Sequence, residues 1–195
     1  INLPNESLAF AIKRFDRAQN RRIHMEDFAQ ILVKYPHEKY NSANYEQIAK
    51  IIYGFSGEGL ADTQQLARRL LANILLANGD AHLKNWSLLY PDTITPRLSP
   101  AYDIVSTSVY IETEQQYALN LGGTKSWYQV SYAHFEYWAK KSGIPWRAIK
   151  PNLDDAIEKA RSLWPQALKN LPMNEEHKQK LIKHWQNLHQ DFRVI

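Results

Sequence analysis

Residues 78–85 of this 195-residue chain read Asn-Gly-Asp-Ala-His-Leu-Lys-Asn. This run follows a segment of helical periodicity that begins at Asp62, and Gln65 stands in the capping-box position relative to that aspartate. The apolar residues on one face of this predicted helix are Leu66, Leu70, Ile74 and Leu75. Because Asn and Gly end helices, the run is predicted to form a loop that a buried helix holds in place.

The segment that follows the run predicts a β-hairpin. Residues 86–90 are apolar and strand-like, residues 91–96 are rich in turn formers, and residues 97–101 can return as a second strand. The two ends of such a hairpin lie side by side. We therefore expect Asn85 and Asp103, which stand near its two ends, to be close in space.

Polar residues within and after the run have the types and the order that phosphoryl transfer requires. Asp80 can accept or orient a substrate hydroxyl, and Asn85 and Asp103 offer the oxygen ligands that magnesium prefers. Lys84 could neutralise charge on the transferring phosphoryl group, and His82 could brace the loop or contact phosphate. The pattern predicts a kinase-type active site.

Each of these residues also has a purely structural interpretation. An Asn-Gly-Asp run commonly marks only the end of a helix, and Asp103 could cap the segment that follows it. His82 could be an ordinary hydrogen-bonded histidine, and Lys84 a solvated surface charge. The joint order of the set around a hairpin favours the functional interpretation.

Helical patterns dominate the remainder of the chain. They cover residues 26–33, 45–55 with Ser42 as N-cap, 132–141, 154–163 and 174–192. Residues 8–12 alternate as a strand, and part of 104–130 fits either a second hairpin or a loop. The predicted fold class is mainly α with small β-hairpins.

Composition excludes several classes of protein. The chain has 44% hydrophobic residues, enough for a sizeable core, and no cysteine, which removes disulfides, thiolate metal sites and thiol nucleophiles. No apolar stretch approaches the roughly 20 residues of a membrane span, so we expect a soluble, cytoplasmic protein that binds no membrane. The net charge of +4 comes from interspersed charges, and the six tryptophans mostly stand at helical spacing, which predicts core rather than a nucleic-acid surface.

Three motifs together resemble the HipA-like toxin kinases, which are serine/threonine protein kinases of bacterial toxin–antitoxin modules. They are Lys-Arg-Phe-Asp-Arg at 13–17, the run at 78–85, and Ser-Pro-Ala-Tyr-Asp-Ile at 99–104. The resemblance implies the C-terminal lobe of a protein-kinase-like fold of the HipA type, with Asp80 as catalytic base. It also implies that Asn85 and Asp103 bind magnesium and the ATP phosphates.

The same resemblance identifies the other residues that border the nucleotide. His82, Lys84 and Tyr102 match positions beside the nucleotide, and Lys13, Arg14 and Phe15 match the adenine hinge. The implied cofactor and co-substrate are Mg²⁺ and ATP, and the implied substrate is a protein, an aminoacyl-tRNA synthetase in known members. A helix-turn-helix antitoxin is the implied partner, with DNA reached only through it, and the implied outcome is arrested translation and persistence.

The resemblance also implies a division of the chain. Residues 1–17 would be a strand and hinge that enter from an N-terminal lobe missing from this sequence, and residues 18–195 would be the helical C-terminal lobe. Nothing before Leu8 supplies a phosphate-covering loop or an ATP-binding strand lysine, so this chain alone should bind ATP poorly. Two alternatives stay open: a catalytically incomplete lobe that docks an antitoxin or DNA, and a kinase for a small molecule or lipid.

Overall fold

The computed structural model of the chain describes residues 11–18, 21–111, 113 and 116–195. Helices form most of the regular structure in this part of the chain, as the sequence predicts. The helices are α1 Phe28–Ile31, α2 Tyr45–Phe55, α3 Gly59–Leu75, α4 Tyr132–Ser142, α5 Trp146–Asn170 and α6 Glu175–Asn187. The strands are β1 Arg17–Ala18, β2 Arg21–Arg22, β3 His24–Asp27, β4 Ser87–Tyr90, β5 Arg97–Leu98, β6 Gln116–Leu121 and β7 Thr124–Ser126.

The hairpin predicted after the 78–85 run is present and forms part of a three-stranded antiparallel sheet. Strand β4 lies in the middle, between β3 and β5. Strand β5 is shorter than predicted, because Pro100 has no N–H to continue the pairing. The last hydrogen bond between β4 and the chain that follows β5 runs from the Ser99 N–H to the Ser87 carbonyl, over 2.9 Å.

Part of residues 104–130, for which the sequence allowed either a hairpin or a loop, forms a second hairpin. Strands β6 and β7 pair antiparallel across a Gly122-Gly123 turn. Tyr117, Leu119 and Leu121 of β6 are buried, as their alternation indicates. The remaining strands, β1 and β2, form a two-stranded pair of their own.

Helix α3 lies at the centre of the core, where it packs against α2 and α5. Helix α4 packs against both α2 and α5. Trp127, Trp138 and Trp185 are fully buried, which confirms that these aromatics belong to the core. Within the described residues, no helix has both the length and the apolarity needed to cross a bilayer.

The predicted N-terminal caps of two helices are wrong. Helix α2 begins where predicted, but its N-cap is Asn44 rather than Ser42, because Asn44 and Gln47 form a reciprocal capping box. Helix α3 begins at Gly59, so Asp62 lies inside its first turn instead of capping it. The Asp62 carboxylate is used elsewhere: it accepts hydrogen bonds from the Arg97 guanidinium at 3.0 and 3.1 Å.

Helices α1 and α5 also differ in length from the prediction, and α6 ends at Asn187 rather than at residue 192. Residues 26–33 form the end of β3 and only the short helix α1, because Asp27 is extended and caps that helix with Gln30. Helix α5 continues through Pro165, where the sequence predicts a stop. Beside this proline Trp164 packs against Trp185 of α6, and Leu168 is buried, and this packing offsets the hydrogen bond that the proline cannot make.

The predicted strand at residues 8–12 lies mostly outside the described residues. Its last two residues, Ala11 and Ile12, belong to no strand. The division of the chain at residue 17 therefore stays a prediction.

Candidate active site

The 78–85 run begins where α3 ends, and buried amides fix this junction. Ala77 adopts a left-handed conformation with φ of 52°, which turns the chain away from the helix axis. The Asn78 side chain donates to Asn73 Oδ1 over 2.7 Å and accepts from the Asp80 N–H over 3.0 Å. The buried Asn78 therefore ties the start of the loop to the helix.

Side chains from other elements bind the last carbonyls of α3. The His184 Nε2 atom lies 2.7 Å from the Ile74 oxygen, and the Trp185 indole donates to the Leu75 oxygen over 2.7 Å. Both residues belong to α6. Since carbonyls at the end of a helix lack partners within the helix, α6 satisfies them and anchors the platform from which the loop starts.

The middle of the loop is also held through its backbone. The Ala81 carbonyl accepts from the Tyr45 hydroxyl at 2.8 Å and from the Trp86 indole at 3.1 Å, both buried. The Leu83 N–H donates to the Lys39 carbonyl over 3.3 Å. A loop with so many fixed backbone groups can hold its side chains in constant positions.

The hairpin brings Asn85 and Asp103 together, as predicted. The Asn85 side-chain amide donates to Asp103 Oδ2 over 3.1 Å and to the Asp80 carbonyl over 3.0 Å. These two acceptors assign the amide nitrogen, so Oδ1 is the atom of Asn85 that is available to a cation. Asp103 has φ of 55°, a left-handed conformation that aspartate tolerates better than most residues and that often occurs at functional sites.

The pair of Asn85 and Asp103 suits magnesium better than most other metals. Both side chains offer oxygen, and Mg²⁺ typically takes one or two protein ligands and completes its shell with water and phosphate oxygens. Among the described residues there is no cluster of three or more His, Cys, Asp or Glu side chains of the kind a zinc or calcium site needs. The donor set therefore fits an ion that arrives with a phosphate ligand.

Asp80 joins this pair through its backbone carbonyl, whereas 44% of its side chain is exposed to solvent. The Tyr40 hydroxyl donates to Asp80 Oδ1 over 2.6 Å, and His82 Nε2 lies 3.8 Å from the same oxygen. Burial lowers the pKa of His82 by more than the nearby Asp80 raises it, so the imidazole is neutral at pH 7. Sequence reasoning missed Tyr40, because nothing in its local pattern marks a residue so far from Asp80 along the chain.

Tyr102 and Phe15 come together from distant parts of the sequence, with ring centroids 5.7 Å apart. The Tyr102 hydroxyl donates to the Lys84 carbonyl over 2.8 Å and also bonds Ser87, and burial raises its pKa to about 12. The Lys84 side chain is exposed. One candidate hinge residue and one candidate nucleotide-bordering residue thus form a single aromatic surface.

The two basic hinge candidates lie at the surface. Lys13 and Arg14 are exposed. The Arg14 guanidinium binds both oxygens of the Asp16 carboxylate, at 2.8 and 2.7 Å, and Arg17 bonds it as well. The hydrogen bond from Arg14 is the largest cause of the lowered pKa of Asp16. The Arg14 charge is therefore already neutralised by an internal ion pair.

Two depressions adjoin the loop. A small cavity is lined by Asn78, Asn85, Tyr102 and Asp103, among others. A wider, open groove has Asp80 in its wall, with contributions from Tyr40 and β6. The candidate metal ligands Asn85 and Asp103 thus line one depression, and the candidate base Asp80 lines the other.

Comparison with known proteins gives a consistent result at the level of the family. The family model described as "HipA-like C-terminal domain" matches residues 2–164. A Sinorhizobium fredii protein named "Putative kinase Y4dM" is 42% identical over 165 residues, which are 85% of this chain and 40% of that protein. The serine/threonine-protein kinase toxin HipA of Shewanella oneidensis is 25% identical over 91% of this chain and 45% of its own length.

A solved structure extends the comparison to the fold. A chain of the complex of HipA, HipB and operator DNA from Shewanella oneidensis MR-1 superimposes with a TM-score of 0.71 and 20% sequence identity. The match covers 90% of this chain and 47% of that one. The chain thus spans less than half the length of these relatives.

Proposed function

Because the chain belongs to the family of HipA-like C-terminal domains, we propose that it carries the base and the metal ligands of an ATP- and magnesium-dependent serine/threonine protein kinase. One observation carries the proposal: the Asn85 amide bonds both the Asp103 carboxylate and the Asp80 backbone, so the three residues form one connected unit. Phosphoryl transfer needs such a constellation and little else from the protein.

Each residue of the unit has a separate task. Asp80 accepts the proton of the substrate hydroxyl and orients its oxygen, for which the exposed carboxylate is accessible. Asn85 Oδ1 and the Asp103 carboxylate hold magnesium, which when bound neutralises the charge of the phosphates. Lys84 is exposed next to them and adds positive charge. His82 lies beside Asp80 and is neutral, so it does not form an ion pair with the Asp80 carboxylate.

The aromatic surface of Phe15 and Tyr102 supports nucleotide binding on the same side as Asp103. The two rings provide an apolar surface suited to a planar base, and main-chain groups of residues 13–15 can bond its edge. Arg14 is paired with Asp16, whereas Lys13 forms no ion pair with any residue that the structure describes. Selectivity for adenine in this proposal comes from the backbone rather than from these side chains.

The biological role that we propose follows the relatives. The Shewanella relative is named as a toxin, and the solved neighbour is a complex with HipB and operator DNA. The corresponding substrate is a cytoplasmic protein, with an aminoacyl-tRNA synthetase as the first candidate. Its phosphorylation would arrest translation and lead to persistence, and an antitoxin would restrain the kinase.

The test separates binding from chemistry in the complete protein that contains this chain. Asp80→Asn should lower kcat by about 10²- to 10⁴-fold while leaving the Kd of Mg-ATP within about twofold, because a general base acts only in the transition state. Asp103→Asn should instead raise the magnesium concentration needed for half-maximal rate. Asp155→Asn, on the remote helix α5, is the control and should do neither. Wild-type rates in both site variants would refute the assignment.

A second candidate function is docking without catalysis. It is favoured by the solved structural neighbour, which is a complex of HipA with HipB and operator DNA. In that case the chain would bind an antitoxin, and through it DNA, while Asp80→Asn and Asp103→Asn would change nothing measurable. Measuring phosphate transfer and antitoxin binding on the same variants distinguishes the two functions. A screen against small-molecule and lipid acceptors tests the remaining alternative, a small-molecule or lipid kinase.

A further inference from the structure

The Asp80 carboxylate is not symmetric in its surroundings. Its Oδ1 atom accepts a 2.6 Å hydrogen bond from the Tyr40 hydroxyl and lies 3.8 Å from His82 Nε2. In the part of the chain that the structure describes, no hydrogen bond reaches Oδ2. The protein therefore binds one oxygen of the candidate base and leaves the other accessible.

Tyr40 is itself held on several sides. Its ring meets the His82 ring edge-on at 5.1 Å, and the Lys39 ammonium lies 4.8 Å from the ring centroid. The Lys125 ammonium of β7 donates to the Asn41 side chain at 3.1 Å, to the Ala118 carbonyl at 2.9 Å and to the Tyr40 carbonyl at 3.4 Å. Lys125 thus ties the segment that carries Tyr40 to the second hairpin.

We propose that Tyr40 is a positioning residue for Asp80, and that Lys125 holds Tyr40 in place. This inference rests on the proposed function. The phenol fixes the rotation of the carboxylate, so that Oδ2 is the atom presented to the acceptor hydroxyl in the open groove beside Gly79 and Thr107. Since proton transfer depends on alignment within hydrogen-bond distance, fixing this rotation raises the rate without contributing to nucleotide binding.

The step assigned to Oδ2 balances as follows. The acceptor oxygen forms a bond to the γ-phosphorus of ATP, and the bond from that phosphorus to the bridging oxygen of ADP breaks. The proton of the acceptor hydroxyl passes to Oδ2 of Asp80. Tyr40 keeps its own proton throughout and exchanges nothing with the substrate.

The kinetic test compares three variants of the complete protein with a protein acceptor. Tyr40→Phe keeps the ring that packs on His82 and removes only the hydroxyl, so kcat should fall by roughly 10- to 100-fold, as expected for a lost bond to a charged group. The KM for Mg-ATP and the Tm should stay unchanged. Lys125→Met should also lower kcat, by about 3- to 10-fold, because it loosens the segment that holds Tyr40. Tyr35→Phe is the control, because Tyr35 is exposed in the same segment and stacks on His37.

Three kinetic results would overturn the inference. A rise in kcat or a fall in the acceptor KM for Tyr40→Phe would mean that the phenol blocks the acceptor site. An unchanged kcat would mean that it has no role. A parallel loss of kcat, Mg-ATP affinity and Tm would mean that it only supports the fold.

A second measurement does not depend on activity. The ¹³C NMR signal of the Asp80 side-chain carboxyl, assigned by its absence in Asp80→Asn, should shift in Tyr40→Phe and stay in place in Tyr35→Phe. An Asp80 signal that does not move would overturn the inference even if the protein transferred no phosphate. Conversely, the wild-type protein could lack transfer activity while the Asp80 signal still shifts in Tyr40→Phe. That result would refute the proposed function and leave the contact between Tyr40 and Asp80 established.

Discussion

At the scale of single residues, Asp62 shows how a carboxylate can look like a helix cap and act as a joint. It is buried in the first turn of α3, where it accepts from the Arg97 guanidinium and, over 2.9 Å, from the Leu98 N–H. Ser56 bonds the same carboxylate. Burial alone would raise the pKa of Asp62, but the bonds from Arg97, Ser56 and Leu98 outweigh it and lower the pKa.

We predict that Asp62→Asn lowers the free energy of unfolding by about 1–3 kcal/mol at pH 7, because an amide offers one acceptor oxygen to several donors. The folded-state pKa is lowered, so the stabilisation is complete above the unfolded-state pKa of about 4 and is lost as pH falls below it. Urea unfolding at pH 7 and pH 3 measures both effects. The exposed Glu176→Gln is the control, and an equal loss in both variants would contradict the prediction.

The candidate site could be predicted from sequence only where its residues are close along the chain or joined by a local element. The octet and the hairpin that returns Asp103 to Asn85 both follow local rules of helix ends and strand pairing. Tyr40 and Lys125 obey no such rule, because their contacts depend on how the loop after Pro36 and the second hairpin pack in three dimensions. The candidate ligands could be predicted from the sequence, and the residues proposed to position the candidate base could not.

At the scale of elements, the joint between α3 and α6 contains a titratable residue. His184 is buried, and burial lowers its pKa to about 4 despite the bond to Ile74. Nε2 carries the proton in that bond, since the Ile74 carbonyl only accepts. The neighbouring Trp185 makes the equivalent bond to Leu75 with a group that does not titrate.

We predict that His184 makes the protein lose stability in mild acid. Its folded-state pKa lies below the unfolded value near 6.5, so its contribution is complete above pH 6.5 and falls by up to about 3 kcal/mol as pH drops towards 4. His184→Gln should be less stable at pH 7 but should lose less stability between pH 7 and pH 4. Trp185→Phe is the matched control, which should lower stability while keeping the wild-type pH slope. Parallel pH profiles of wild type and His184→Gln would contradict this.

The turn between β6 and β7 offers a second test at this scale. Gly122 and Gly123 both have positive φ, of 60° and 91°. A Cβ at Gly122 would lie 2.4 Å from the His134 carbonyl oxygen, whereas a Cβ at Gly123 meets nothing within 4 Å. Gly123→Ala should cost about 1–2 kcal/mol from the backbone conformation alone. Gly122→Ala should cost about 1–3 kcal/mol more, because the backbone of α4 must move.

Thermal and urea unfolding of the two variants measure this difference directly. Since the residues are adjacent and share the conformational strain, their difference isolates the contact between the turn and α4. Equal destabilisation would show that the α4 backbone gives way freely. It would also weaken the view that the second hairpin, which holds Lys125, is fixed against the helical core.

Elements that fold by local rules were predicted well, and those that depend on packing were not. Helix α2 has its predicted bounds because its apolar periodicity begins and ends where its capping residues begin and end the helix. Helix α5 runs past Pro165 because the packing of Trp164 on Trp185 of α6 outweighs a local stop signal, and periodicity within the segment cannot reveal that partner. Strand β3 exists because β4 is there to pair with it.

Across the whole molecule, the described residues hold the proposed base and metal ligands in and near the loop after α3, with one aromatic surface for a nucleotide. In the proposed site, Asn85 and Asp103 would bind the phosphates only through a metal. The adenine ring would contact one aromatic surface, formed by Phe15 and Tyr102. Small-molecule sites bury most of their ligand, and a one-sided surface cannot. In the relatives, more than half of the polypeptide lies outside the part that this chain matches.

We therefore predict that Mg-ATP binds this 195-residue chain weakly, and that a chimaera with the N-terminal portion of the 42% identical relative binds it at least about tenfold more tightly. Enclosing the nucleotide from a second side adds contacts to the phosphates that the chain alone does not supply. Isothermal titration calorimetry measures both affinities. Asp103→Asn in the chimaera is the control: it should lower the affinity again, because the added contacts and the metal act on the same phosphates. Equal affinity of the chain and the chimaera would mean that the described surface is sufficient for nucleotide binding.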